Sequence, residues 1–119
     1  MDKSLNPYLV TAALECAKQN PDGFTIAPDM LTQPTEGYAV AMWTDKENKG
    51  TIGFLNMLAY CLEYNRHFGG WLDKKTGTTH WDAVKIFPVG QLKEATIFAE
   101  KEQQLALFDL SNGVEIRLD

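Results

Sequence analysis

Residues 69–87 read GGWLDKKTGTTHWDAVKIF, and the turn inside this stretch decides the fold. The segment DKKTG places Asp73 at the first turn position and Gly77 where a positive φ is required. Apolar and polar residues alternate on both sides of the turn, as they do in paired strands. Pairing Asp73 with Thr78 closes the turn, so we expect a β-hairpin that ends before Pro88.

The register of this hairpin determines which side chains share a face. It sets Trp71 opposite His80, and it puts Leu72 and Trp81 together on the other face. The apolar alternation slips between Trp81 and Val84. Because an inserted residue shifts the alternation of a strand, the slip predicts a bulge or bend there.

The segments around the hairpin have helical or strand periodicity. The order αββαββαββ predicts an α+β fold, with three helices packed on an antiparallel or mixed sheet of five to six strands. With 119 residues, the chain has the usual size of one domain, so we expect a single domain over residues 1–119. The helices are predicted at 8–19, 51–66 and 91–104, and the strands outside the hairpin at 24–27, 37–43, 105–110 and 114–118.

Three of these strands carry expectations about burial. Residues 37–43 are apolar on both faces, which is typical of a central strand. Residues 105–110, LALFDL, indicate another buried strand. The last strand alternates cleanly, so Val114, Ile116 and Leu118 are expected to face inward.

The second helix is apolar almost all round. A helix of this kind is either buried on two sides or contributes to an interface, and the sequence leaves both alternatives open. Its principal stripe is predicted to contain Ile52, Leu55, Leu58, Ala59 and Leu62, widened by Phe54, Met57, Tyr60, Cys61 and Tyr64.

Charge and composition argue against several classes of protein. The net charge of −5 disfavours binding to nucleic acid, which needs clustered Lys and Arg. No run of apolar residues is long enough for a membrane span, and residues 1–19 lack the pattern of a signal peptide. Cys16 and Cys61 fall in helical patterns and are expected to be buried and reduced, so we predict a cytoplasmic protein.

One pair of side chains on the hairpin is chemically suggestive. His80 and Asp82 are two residues apart on a strand, so both lie on the same face, as a metal site or an acid–base pair requires. A metal needs a third ligand, and His67 is the other histidine of the chain. Asp73 is better explained as the acceptor of its own turn. We therefore predict no metal, no cofactor and no catalytic residue, and a half-exposed hairpin with Trp71 stacked over His80.

Two further kinds of site are disfavoured. Cys61 and His67 are six residues apart in a helical pattern, on different faces, which argues against a cysteine nucleophile. The segment NKGTIG at 48–53 begins a helix but lacks the context of a phosphate-binding loop.

Aromatic side chains supply the favoured functional surface. Half-exposed tryptophans beside tyrosines of the second helix would form a patch that binds a protein partner or a second copy of the chain. The predicted interaction patch contains Trp71, Trp81, His80, Tyr60 and Tyr64.

The C-terminal part of the chain has a longer pattern, G-G-W-x-D-x-x-T-G, then a strand with an Asp, a helix, and Q-x-A-x-x-D-L. It resembles small uncharacterised proteins and domains encoded by phages, plasmids and conjugative elements of bacteria. The resemblance implies a mobile-element setting and an accessory role, without catalytic residues. The helix here begins with PVGQLKEA, where that pattern more usually has an acidic cap. The matching positions are Gly69, Gly70, Trp71, Asp73, Thr76, Gly77, Asp82, Gln104, Ala106, Asp109 and Leu110.

Two functions follow from the sequence. The favoured one is a non-catalytic accessory or protein-interaction domain of a mobile genetic element. The alternative is a small enzyme, or a ligand- or metal-binding domain, with its site near His80, Asp82 and Trp71. An interaction patch would spread these side chains over a flat or convex face, whereas the alternative needs them in a pocket with a perturbed titrating group.

Overall fold

A computed structural model describes residues 6–29 and 32–118. It confirms the α+β class and the order αββαββαββ. Residues 1–5, part of the segment predicted not to be a signal peptide, lie outside the described residues. The helices are α1 (Pro7–Gln19), α2 (Gly50–Tyr64) and α3 (Leu92–Lys101), and the strands are β1 (Phe24–Ile26), β2 (Tyr38–Ala41), β3 (His67–Asp73), β4 (Thr78–Phe87), β5 (Ala106–Asp109) and β6 (Val114–Arg117).

The strands form one sheet in the order β1-β3-β4-β2-β5-β6. Every neighbouring pair is antiparallel, which decides between the two predicted arrangements. The long strand β4 pairs with β3 through its first part and with β2 through its last part. The hairpin of β3 and β4 therefore lies at the centre of the fold.

The helices pack on one face of this sheet. On β4, Trp81, Ala83 and Phe87 are separated by even numbers of residues, so their side chains lie on the same side. Trp81 and Ala83 belong to a core cluster with residues of α1 and α2, and Phe87 belongs to a second cluster with residues of α3. His80 and Asp82, at the alternate positions, lie on the face that the helices leave open.

The predicted bulge in β4 is wrong. β3 and β4 keep one register from His67 opposite Val84 to Asp73 opposite Thr78. Val84 is buried although it lies on the face opposite the helices. The slip in the alternation therefore reflects burial on both faces at this point and not an inserted residue.

The turn of the hairpin has the predicted chemistry. The carboxylate of Asp73 accepts a hydrogen bond from the backbone N–H of Lys75 at 3.0 Å. Its carbonyl oxygen accepts one from the N–H of Gly77 at 2.8 Å, and Gly77 has a φ of +72°. Asp73 is thus occupied by the turn, as expected.

Helix α2 is rotated relative to the predicted stripe. Ile52, Leu55 and Ala59 are exposed. The reason lies at Gly53, where an added Cβ would sit 2.2 Å from the backbone carbon of Asn48. Because this close approach needs a residue without a side chain, it turns the Gly53 side of the helix inward. The buried residues of α2 are Gly53, Phe54, Met57, Leu58 and Cys61.

The C-terminal strands are more open than expected. Val114, expected to face inward, is exposed, and so are Leu105 and Phe108 of the segment expected to be buried. Phe108 alternates with the buried Leu107, which packs with residues of α3, so Phe108 lies on the face that the helices leave open. Val114 is the first residue of β6, the edge strand of the sheet. β2 ends at Ala41, so Trp43 lies in the loop that follows it and not in the strand.

Within the described part of the chain, no helix combines the length and the apolar character needed to cross a membrane.

Candidate functional site

A cleft opens where the segment that follows β2 separates from the neighbouring strand β4. The backbone N–H of Met42 still donates to the carbonyl of Ala83, and the N–H of Trp81 donates to the carbonyl of Asn48, both at 2.8 Å. Between these two bonds the loop 43–47 departs from the strand and returns. Asp82 lies on β4 at the resulting gap.

The cavity at this gap has a volume of about 370 Å³. We call it the Asp82 cleft. Its lining joins the loop 43–47 to the hairpin and to the segment after α3. The lining residues that can contact a ligand through polar or aromatic groups include Trp43, Lys46, Gln104, Trp71, His80 and Asp82.

Two tryptophans of the cleft are accessible. Trp71 is 44% exposed and stacks on His80, with ring centroids 4.5 Å apart and planes 8° apart. This stack is the one that the hairpin register predicted. Trp43 is 63% exposed, and its backbone N–H donates to the carboxylate of Glu102 at 3.2 Å. The cleft therefore presents indole surface from both the hairpin and the loop.

Asp82 is the titratable group that distinguishes the cleft. Its side chain is half-buried, and among the residues described no donor lies within hydrogen-bond distance of its carboxyl group. Burial raises the pKa of Asp82 to about 6, although the neighbouring His80 opposes the rise. A carboxyl without a donor pays a desolvation penalty when ionised, so it is ready to accept a hydrogen bond or a positive charge.

Trp81 lies in the core and takes no part in an exposed patch. It is 5% exposed, and it stacks on Phe68 with centroids 5.5 Å apart and contacts Phe54 edge-on. Its indole N–H donates to the carbonyl of Gly50 at 2.9 Å. Trp81 thus fastens the start of α2 to β4 and supports the floor of the cleft.

Tyr60 and Tyr64 lie away from the cleft. Their rings contact each other with centroids 4.7 Å apart near the C-terminal end of α2. Neither tyrosine is among the residues that line the cleft. The residues of the predicted patch are therefore separated into the cleft (Trp71, His80), the core (Trp81) and the far end of α2 (Tyr60, Tyr64).

The cysteines have the environment of core residues. The Cys61 thiol donates to the carbonyl of His67 at 3.2 Å. Burial, and secondly the charge of Asp82, raise the pKa of Cys61 to about 12 although Arg66 opposes the rise. Burial also raises the pKa of Cys16. A nucleophilic cysteine needs a shift in the other direction.

His80 and Asp82 share a face, as predicted from their spacing. Among residues 6–29 and 32–118, however, no group of three or more His, Cys, Asp and Glu side chains is arranged to hold a metal ion. Trp43, Lys46 and Gln104 also line the cleft but were not predicted as site residues. Trp43 directly before the polar segment TDKENKG was the available signal, since an aromatic residue at the edge of a loop is often left accessible.

A second cavity, of about 350 Å³, shares two tryptophans with the Asp82 cleft. Leu14 and Lys18 of α1, Phe24 of β1 and the hairpin residues Leu72 and Thr79 line it. Trp71 and Trp81 line both cavities.

Comparisons of the chain with models of protein families, with curated proteins and with solved structures give no significant match. The resemblance to proteins of mobile elements therefore stays a prediction. Because a fold of this class carries many functions, the function has to be inferred from the cleft itself.

Proposed function

We propose that the protein is a ligand-binding domain and that the Asp82 cleft is its site. The observation that supports this is the carboxyl group of Asp82, which is desolvated, has no hydrogen-bond donor among the described residues and lines a cavity with two accessible indoles. Convergence of a perturbed titrating group with aromatic side chains in one pocket is typical of a binding site. It favours the second of the two functions that follow from the sequence, the one with a site near His80, Asp82 and Trp71.

The proposal is for binding and not for a reaction. A carboxyl group with a pKa near 6 is suited to proton transfer at neutral pH. Catalysis also needs a second group positioned on the reacting atoms of a substrate, and the cleft identifies no such atoms. Recognition, in contrast, needs an acceptor, aromatic surfaces and a cavity, and the partly open cleft has all three.

A second observation favours a second candidate, the non-catalytic accessory domain of a mobile element, acting in the cytoplasm. Ile52 is 66% exposed, and Leu55, Ala59 and Tyr64 of α2 are exposed as well. An apolar helix surface of this kind is suited to a protein partner or to a second copy of the chain. Replacement of Ile52 and Leu55 by Ser should disrupt such a complex, as light scattering and pull-down can measure. A complex that stays intact would show that this helix is not its interface.

The three tryptophans provide the experiment for the cleft. Each indole N–H gives a separate signal in a proton–nitrogen correlation spectrum, and a fragment library can be screened against all three. We expect fragments that bind to move the signals of Trp43 and Trp71, while that of Trp81, bonded to Gly50, moves less. The Asp82→Asn variant should lose hits, and Asp45→Asn in the exposed loop should keep them. If no fragment moves the signals of Trp43 and Trp71, the proposed function is refuted.

A further inference from the structure

We propose that the Asp82 cleft binds a guanidinium group, carried by a free guanidine compound or by an arginine side chain. This inference rests on the proposed function of the cleft and names the chemistry of its ligand. Two features of the described residues support it: the carboxyl of Asp82, which has no hydrogen-bond donor, and the indole surfaces. The charges around the opening set its limit.

A positively charged donor suits the ionised carboxyl group of Asp82 better than a neutral donor does. Burial disfavours its ionised form, and the neighbouring His80 offsets this effect only in part. A guanidinium group supplies two parallel N–H donors and a positive charge in the geometry that a carboxylate accepts. Because the cleft is partly screened from water, such a pair is stronger there than on an open surface.

The indoles favour a flat cation over a compact one. Trp43 and Trp71 line the same cleft as Asp82, and both are accessible. A guanidinium group is planar and weakly hydrated, so it stacks on an aromatic face while its edge donates to a carboxylate. A primary ammonium group carries the same charge but cannot stack in this way.

The charges around the cleft set a limit on affinity. Glu102, whose carboxylate accepts a hydrogen bond from Trp43, adds a negative charge near the opening. Lys46 and His80 also line the cleft and oppose a cation. Removal of the amino group in a Lys46→Met variant should therefore strengthen binding, which a neutral ligand would not show.

The pH dependence has a definite sign. Binding of a guanidinium group requires ionised Asp82, and the pKa of Asp82 is raised to about 6. His80 on β4 and His67 on β3 lie on the same face of the sheet as Asp82, while Cys61 of α2 has a pKa of about 12 and stays neutral. Ionisation of Asp82 alone should increase the affinity about tenfold between pH 5 and pH 7.5. Lys46 and Glu102, the other charged groups near the opening, change the size of this effect but not its direction.

The experiment compares two almost isosteric ligands. Nα-acetyl-arginine amide carries the guanidinium group, and Nα-acetyl-citrulline amide replaces it by a neutral urea. Titration followed by the indole signals of Trp43 and Trp71 should show saturable binding of the arginine compound and at least tenfold weaker binding of the citrulline compound. Nα-acetyl-lysine amide should bind several-fold more weakly than the arginine compound. Agmatine as a fourth probe distinguishes a free guanidine compound from an arginine side chain, since it lacks the peptide groups.

Variants connect this binding to the cleft. Asp82→Asn should weaken binding of the arginine compound at least tenfold, and Lys46→Met should strengthen it. Asp45→Asn, which removes a carboxylate from the same loop outside the cleft, should change the affinity less than twofold. Thermal unfolding of each variant verifies that it is folded, and Trp43→Ala, in an exposed loop, provides a second variant that should weaken binding.

Several outcomes would overturn the inference. Equal binding of the arginine and citrulline compounds excludes recognition of charge, and an affinity that is flat between pH 5 and pH 7.5 excludes ionised Asp82 as the acceptor. If library fragments move the indole signals but no guanidinium compound does, the inference fails and the proposed function stands. If neither moves them, both fail.

Discussion

Replacing Asp82 by Asn should stabilise the protein at neutral pH. The carboxyl group is half-buried and lacks a donor among the described residues, so its ionised form is less favourable in the folded chain than in the unfolded chain. An amide of nearly the same shape removes the charge and keeps the volume. The substitution therefore removes a cost that wild-type protein carries only where Asp82 is ionised.

The size of the effect follows from the pKa of this carboxyl. Burial raises the pKa of Asp82 from 3.8 to about 6, and each unit corresponds to 1.36 kcal/mol. Because the pKa of Asp82 is higher in the folded than in the unfolded chain, the protonated carboxyl contributes to stability. This contribution is fully present below pH 3.8 and is lost as the pH rises through 6. Wild-type protein should lose about 2–3 kcal/mol of unfolding free energy through Asp82 across this window. The Asn variant should not show this loss.

Urea denaturation at pH 4, 5, 6 and 7.5 measures this difference. The free energy of unfolding of Asp82→Asn minus that of wild type should increase by about 2–3 kcal/mol from pH 4 to pH 7.5. Other groups titrate in both proteins and cancel in the subtraction. Asp45→Asn, at an exposed loop position, measures the effect of losing one negative charge by itself. If the difference is constant with pH, or if the Asn variant is the less stable one at pH 7.5, the carboxylate has a partner and the reasoning is refuted.

Three other predictions concern the core and α2. Leu58→Ala should lower the free energy of unfolding by roughly 2–5 kcal/mol because Leu58 is fully buried, whereas Ile52→Ala on the exposed face of the same helix should change it by less than about 0.5 kcal/mol. Urea denaturation measures both variants, and a larger loss of stability for Ile52→Ala than for Leu58→Ala would contradict the orientation of α2. Trp81→Phe should cost at least about 1 kcal/mol in thermal or urea unfolding, because the carbonyl of Gly50 loses its donor, and an unchanged stability would show that this bond contributes little. Because the pKa of Cys61 is raised to about 12, its thiol should react with iodoacetamide at pH 8 on the order of a thousandfold more slowly in native than in unfolded protein. Peptide mapping measures this rate, and rapid labelling of native protein would show that the thiol is accessible.

The hairpin illustrates what local sequence can determine. Asp73 and Gly77 are required by the turn itself, and the turn fixes which residues of β3 and β4 are opposite each other. The stack of Trp71 on His80 and the common face of His80 and Asp82 follow from this register without knowledge of the rest of the chain. These predictions were correct because a few adjacent residues decide them.

The orientation of α2 shows where local patterns are insufficient. Apolar residues surround this helix almost completely, so periodicity alone cannot identify the buried side. The side is chosen by a contact of Gly53 with the backbone at Asn48, five residues earlier but outside the helix. The predicted stripe therefore included Ile52 and Leu55, which the structure leaves exposed.

The cleft depends on a tertiary feature in the same way. β2 pairs with β4 up to Met42, and Asn48 and Lys49 resume contact with β4 at Trp81 and His80. The sequence TDKENKG indicates a polar connection between a strand and a helix, but not that both its ends bond to the same neighbouring strand. Only that arrangement leaves a gap beside Asp82 and brings Trp43 to it.

The burial of Asp82 is unfavourable for the isolated protein and useful to a binding site for the same physical reason. β4 is held on both sides of Asp82, by Met42 at Ala83 and by Asn48 at Trp81, so the backbone at Asp82 cannot move away from the cleft without breaking these bonds. The backbone that carries the acceptor is therefore in place before any ligand arrives, and it loses little conformational freedom when one binds. A cation that pairs with Asp82 removes the penalty that burial imposes on the ionised form, so stability and affinity should change in opposite directions when Asp82 is replaced by Asn. If the variant were both less stable and still able to bind, the carboxyl would be a structural group and the ligand would be recognised by the indoles alone.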